Sequence, residues 1–530
     1  MTYKYHLHTH SSHEFASSMR AIALRCKMLG LDGAFVTDHD TRMGYLKRAI
    51  NIFDIAEVGA ISVIGEPPRN KFRRGWKPAE WKDVSFGSQD NKNAMILKVY
   101  PGDSCQATFS AEGKQHQVSL LALVTLILDF CPVGFNPAVH GIMVDITLSQ
   151  RTPDFEFSHL CYTAGQCPPM PNTHYCLPFE LENGWQKKTF SISKDILMFD
   201  GFGEDNCFVD ITLKLFCPVG AEGFLLAHSY YELTRVLAAE DVRIRQQDLA
   251  NKIGEAYDVT LYVATEISGL GQHKLSFCED TPVIDYKKEN YPSEPEFAIK
   301  HVKKYNGVHS YCHLFGIYHR DFDFTDKEKG MNNLIEELIA NRCEEAVMLE
   351  VGYPSGREGF VFEDYMYAWD KIIEGGVLIK GYGSNDSHGA SSGGWERGNN
   401  FCTYINAASN ERKALIDAFK HGRLYSADPV VWKNGEYEMS CEGFGMGAVI
   451  NTKIGEEHKV LFKLLLPDDE FQIIVSSLGR VLADFIQGGG SYEFSADILI
   501  EKPIEAVRVN IYKNNRCIMF SNPIYFINGD

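Results

Sequence analysis

Residues 31–40 read LDGAFVTDHD, a short apolar run that breaks into threonine, aspartate and histidine. The run over 31–37 predicts a short buried strand. Its polar end, Thr37-Asp38-His39-Asp40, sits where α/β folds put their chemistry, at the end of a strand. Upstream, Phe15, Met19, Ile22, Cys26 and Leu29 recur at spacings of four and three, one face of a helix. Gly30 follows where a C-terminal cap belongs. Earlier still, Tyr5–Thr9 has the spacing of a strand that points His6 and His8 the same way. Two imidazoles on one face at a strand end make a natural pair of metal ligands.

The histidines are unevenly spread. Of 18, five fall within the first 39 residues: His6, His8, His10, His13 and His39. A lone histidine is more often a hydrogen-bonded core or surface residue, so the joint pattern carries the argument. It recurs at later strand ends. Glu266 ends YVATEIS, His309 and His313 lie in GVHSYCHLFG, Glu350 in VMLEVGY, and Asp386 and His388 in GSNDSHG. Mixed histidine and carboxylate ligands suit borderline ions such as Zn, Mn or Fe, and this many could hold two or three.

The rest of the chain sets these motifs in a larger frame. At 530 residues, with about 150 per domain as a guide, three or four units are expected. From 58 to 238 helical periodicity fades, and β-rich pieces such as AMILKVY, HGIMVDITLS and NCFVDITLKLF alternate with Gly, Pro and Asn clusters. An inserted all-β sandwich is expected there. Helix and strand signals resume from 239 to 430, with helices around Leu249, Leu334 and Leu415 and strands over 258–268, 345–353 and 377–389. Alternation returns over 431–530, which predicts a small C-terminal β-sandwich.

Composition narrows the function classes. Hydrophobic residues make up 45% and charged residues 23%, as in a folded protein rather than a disordered one. A formal charge of -18 repels phosphate backbones and argues against nucleic acid as a partner. It leaves room for a small anionic substrate, because local metals reverse the field in a cleft. The most apolar run, 118–131, is too short for a membrane helix and reads as a buried strand or core helix. No signal peptide is evident, and the 14 cysteines lack CxxC pairs, so a cytoplasmic protein with mostly reduced thiols is expected. A local disulfide among Cys161, Cys167 and Cys176 is a minor alternative.

In order, HxH, TDHD, TEI, a downstream histidine and GSxDSH resemble the PHP (polymerase and histidinol phosphatase) superfamily, over roughly 1–57 and 239–430. The resemblance implies a distorted (β/α)7, TIM-like barrel, split by the 58–238 insertion and bearing a di- or trinuclear site. It implies His6 and His8 binding one ion with Glu266 and Asp386, and Glu266 bridging to a second ion held by His313. It places His13, His39 and His388 on a third ion. His309 is the alternative to His313, and Glu350 lies near a further ligand position. Asp40 and His10 would orient ligand imidazoles. Gly271-Gln272-His273 and the ending HGRLYSAD with SNPIYF look like the CehA/McbA group, named for a carbamate hydrolase, and put His273 near the metals.

The expected activity is therefore hydrolysis, with Glu266, Asp40 and His273 in catalytic places and Asp38 close by. A small phosphoester leads as substrate class, with carbamate, ester or amide hydrolysis as the alternative. Arg42, Arg357 and Arg397 lie near motif loops and could clamp an anionic group. A binding scaffold with a degenerate metal site is a second alternative, with the insert presenting aromatics such as Trp185 to a carbohydrate or protein.

Overall fold

The structure is a computed structural model. It describes residues 1–11, 18–39, 46–51, 78–110, 118–119, 123–148, 158–199, 207–235, 237, 239–267, 273–280, 303–315, 326–340, 347–352, 360–384, 386–387 and 401–529. The chain divides into two compact units. One comprises Met1–His10, Ala23–Thr41 and Ala250–Asp530; the other comprises Ser11–Ile22 and Arg42–Leu249.

The second unit is built from two seven-stranded sheets. One runs His174–Pro178, Ser158–Gly165, Gly141–Leu148, Cys207–Phe216, Ser104–Ser110, Pro78–Lys82. The other is centred on Val124–Val133 and Phe224–His228. Strict alternation explains the pairing of faces. In GIMVDITL, Ile142, Val144, Ile146 and Leu148 join a core with Leu126, Leu128 and Phe130, while Asp145 stays out of it. Each such buried side chain contributes about 1.5–3 kcal/mol. Within the apolar run at 118–131, Val118–Ser119 is one strand and Val124–Val133 begins another, and among the described residues no helix is long and apolar enough to cross a membrane.

The first unit contains an eleven-stranded sheet in which Thr2–Thr9 lies parallel to Gly33–Val36 and antiparallel to Cys402–Asn406. Gly33 is required where the strand Thr260–Val263 pairs on the other side of Gly33–Val36, since a Cβ there would meet the Thr260 carbonyl oxygen at 1.8 Å. The same sheet continues through Leu424–Ala427, Arg516–Ser521 and Ile504–Lys513 to the C-terminal strands. Those strands share a core with a four-stranded sheet, in which Val460, Phe462 and Leu464 alternate with exposed residues of Glu457–Leu466. A further five-stranded sheet runs Thr265–Ile267, Lys274–Phe277, Val308–Tyr311, Val347–Val351, Lys380–Gly383.

The expected (β/α)7 TIM-like barrel is not what forms. Such a barrel alternates parallel strands with crossover helices. Among the described residues strands dominate, in several sheets, with only six α-helices, one of them the four-residue Ile192–Asp195. In the five-stranded sheet, Lys274–Phe277 is antiparallel to both of its neighbours, and Thr2–Thr9 has an antiparallel partner on one side. Periodicity read the local strand–helix units correctly but carried no information on which strands pair, or in which direction. The helix at Met19–Leu29 ends as expected, with Gly30 at φ +65° and Leu31 N donating to Cys26 O at 2.9 Å.

Candidate metal centre

The ligand-type side chains converge where strand ends of the eleven-stranded and five-stranded sheets of the first unit meet. Two isolated parallel bridges, Thr9–Ser387 and His39–Glu266, join the strand ends there. Glu266 lies at the middle of a three-residue strand, and its backbone N donates to Asp38 O at 3.2 Å. Its carboxylate is fully buried and meets five imidazoles. Oε1 lies 2.5 Å from His273 Nδ1 and 3.2 Å from His313 Nε2. Oε2 lies 3.3 Å from His8 Nε2, 3.3 Å from His10 Nε2 and 3.4 Å from His39 Nε2.

Asp386 closes the other side. Its Oδ1 is 3.0 Å from His10 Nε2 and 3.3 Å from His8 Nε2. Glu350, from the Val347–Val351 strand, stands behind: Oε1 is 3.1 Å from His8 Nδ1, and Oε2 accepts from His313 N at 2.5 Å. His313 and Asp386 both take the left-handed backbone region, φ +33° and +49°, in side chains with a Cβ. Such conformations cost about 1–3 kcal/mol and gather at functional sites.

The donor set fits divalent metal. His8, His10, Glu266 and Asp386 each offer a ligand atom within 4.8 Å of the others. So do His39, Glu266 and His273; His8, Cys312 and Glu350; and Glu266, Cys312 and His313. Glu266 belongs to three of these groups, as a carboxylate shared between ions would.

Electrostatics describe the same cluster. Burial disfavours charge on His8, yet Glu350 and Asp386, with hydrogen bonds to Glu266 and Glu350, raise its pKa to about 10. Burial likewise opposes the charge on Glu266, but His39 and His273 hold it well below the usual carboxylate range. His313 is raised against its burial by the hydrogen bond to Glu266 and the charge of Asp386. His273 is lowered by burial although it touches the same carboxylate.

Of the sequence-derived residues, His8, His39, Glu266, His273, His313, Glu350 and Asp386 come together. His10, read as an orienting residue, touches Glu266 and Asp386 directly. His6 is buried two residues back along the strand, at the register of Ala34. Asp38 is buried, with Oδ1 3.9 Å from His10 Nδ1. His309 pairs by register with Ser276 and Val347, its ring edge-on to Tyr311. His13, Asp40, Arg42, Arg357, His388 and Arg397 lie outside the described residues. Cys312 was missed; its only sequence signal is adjacency to His313. Trp185 is partly buried against Ala94, Cys131 and Ala227, with Lys92 Nζ 4.0 Å over its ring.

No protein-family model and no curated protein matches the chain. Among solved structures, a family 11 carbohydrate-binding module from Clostridium thermocellum, in complex with a mixed-linked tetrasaccharide, is 12% identical, with a TM-score of 0.22 over 36% of this chain and 97% of that one. A native family 12 xyloglucanase from Bacillus licheniformis is 8% identical, at 0.22 over 29% and 85%. The Spr0440 glycoside hydrolase domain, Endo-D, from Streptococcus pneumoniae R6 is 5% identical, at 0.18 over 86% and 36%. Likenesses at this level decide neither fold nor function.

Proposed function

We propose that this chain is a metal-dependent hydrolase of a small phosphoester, as its PHP-like motifs imply. The observation that carries the reading is the convergence of five imidazoles on the buried carboxylate of Glu266, with Asp386 completing a four-ligand group. His8, His10, Glu266 and Asp386 would hold one ion, and Glu266 with His39 and His273, or with His313, a second. Bound divalent ions would supply an acidified water and a Lewis acid for the substrate's oxygen. Glu350 keeps His8 turned toward Glu266 and Asp386 through its other ring nitrogen. His273, whose pKa burial lowers, stands against Glu266 and would be placed to take a proton there.

Carbamate, ester or amide hydrolysis is the second reading, because His273, the residue that carries the CehA-like motif, stands 2.5 Å from Glu266. Elemental analysis of the purified protein tests the metal reading: two or three divalent ions per chain are expected. A folded, metal-free wild type that stays inactive when given Zn, Mn or Fe would overturn it. A panel of p-nitrophenyl phosphate, bis-p-nitrophenyl phosphate and naphthyl carbamate separates the two readings. Turnover of the carbamate alone would remove the phosphoester.

A further inference from the structure

The inserted unit carries a second set of ligand-type side chains, remote in sequence from the motifs above. In the sheet containing Gly141–Leu148, Ser158–Gly165 and His174–Pro178, register fixes which residues share a face. His159 is the Cα partner of both Thr147 and His174, and Asp145 that of Cys161, which is itself paired with Cys176. Their neighbours Val144, Ile146, Leu160 and Tyr162 enter the core, so Asp145, His159 and His174 lie on the opposite face. The two imidazoles stack with centroids 4.1 Å apart at 8°.

Asp145 is 2% exposed, and its Oδ1 lies 2.8 Å from His159 Nδ1. His174 Nε2 faces Oδ2 at 4.0 Å. That gap is too long for a hydrogen bond but lies within the span of two metal–ligand bonds of about 2.1 Å. One ligand atom from each of the three residues falls within 4.8 Å of the others. The buried Cys161 thiol stands 3.7 Å from Asp145 Oδ1, a soft donor at the rim. Lys214 Nζ also reaches Asp145 Oδ2, at 2.7 Å, and is the competitor for that oxygen.

We propose that Asp145, His159 and His174 form a separate binding site for a borderline divalent cation, Zn(II) by donor chemistry. An ammonium alone balances the carboxylate charge but gives no reason for two stacked imidazoles to converge on it. The site does not rest on the hydrolase reading.

Zinc titration of chelator-stripped full-length protein, in competition with a chromophoric chelator, tests it. The Glu266→Ala/Asp386→Ala protein disables the principal cluster, and one equivalent of zinc should remain. Adding His159→Asn and His174→Gln should weaken that equivalent at least about a hundredfold, with circular dichroism unchanged. Lys214→Met, which removes the competitor without touching a ligand, should tighten it about tenfold. Absence of the remaining equivalent, zinc binding that ignores His159 and His174, or no response to Lys214→Met would each overturn the proposal.

Discussion

Glu350 Oε1 lies 3.1 Å from Nδ1 of His8, so the opposite ring nitrogen of His8 is turned toward Glu266 and Asp386. The same Glu350 accepts from the backbone N of His313 through its other oxygen. One buried carboxylate therefore fixes two histidines of the cluster. Glu350→Gln keeps the shape but removes the charge that selects the His8 orientation. Metal affinity measured by chelator competition should fall about 10–100-fold, while the melting temperature moves little.

Glu266 is the common partner of five imidazoles. Glu266→Ala should lose the metal of this cluster in elemental analysis, leaving at most the one equivalent at Asp145, His159 and His174, and should abolish any hydrolytic turnover. Glu266→Gln should retain the fold but lose most of the bound metal, because an amide lacks the charge that the imidazoles and cations share.

Asp129 predicts acid sensitivity of the inserted unit. Burial opposes its charge, but His228, Lys92 and Ser229 hold its pKa far below the usual range. Its oxygens accept from Ser229 N at 2.8 Å, Ser229 Oγ at 2.6 Å and Tyr230 N at 2.7 Å. A carboxyl whose folded pKa is depressed stabilises above its unfolded pKa of about 4, and that stability is lost as pH falls through the folded value. Asp129→Ala should cost about 3–5 kcal/mol at neutral pH in urea unfolding, and the penalty should shrink progressively below about pH 4.

Asp370 and Arg508 form a two-point pair between the helix Phe362–Glu374 and the strand Ile504–Lys513, at 2.5 and 2.9 Å. Both are buried, and the guanidinium lies 5.0 Å over the ring of Trp369. Asp370→Ala should destabilise by about 3–5 kcal/mol, because it leaves a buried charge unpaired. The double variant Asp370→Leu/Arg508→Met should recover much of that loss in thermal unfolding, which separates charge pairing from packing.

The sequence by itself determined the local elements and most of the residues that meet at the candidate centre. Spacing alone located the helix at Met19–Leu29 and its glycine stop, the strands carrying His8, Glu266 and Glu350, and the β-rich insert. It also picked out chemistry-bearing side chains, because acids and imidazoles at the ends of apolar runs are conspicuous in one dimension. Strand pairing was not legible, since a period of two says which face is buried but not which partner is hydrogen-bonded, or in which sense. Only the tertiary structure decided that Lys274–Phe277 runs antiparallel to both neighbours, and that the first sheet passes directly into the C-terminal strands. It also decided that His10 meets Glu266 and Asp386, and that Cys312 joins the cluster. Asp145, His159 and His174 were hidden for the same reason: 14 and 15 residues separate them along the chain, and only sheet register sets them side by side.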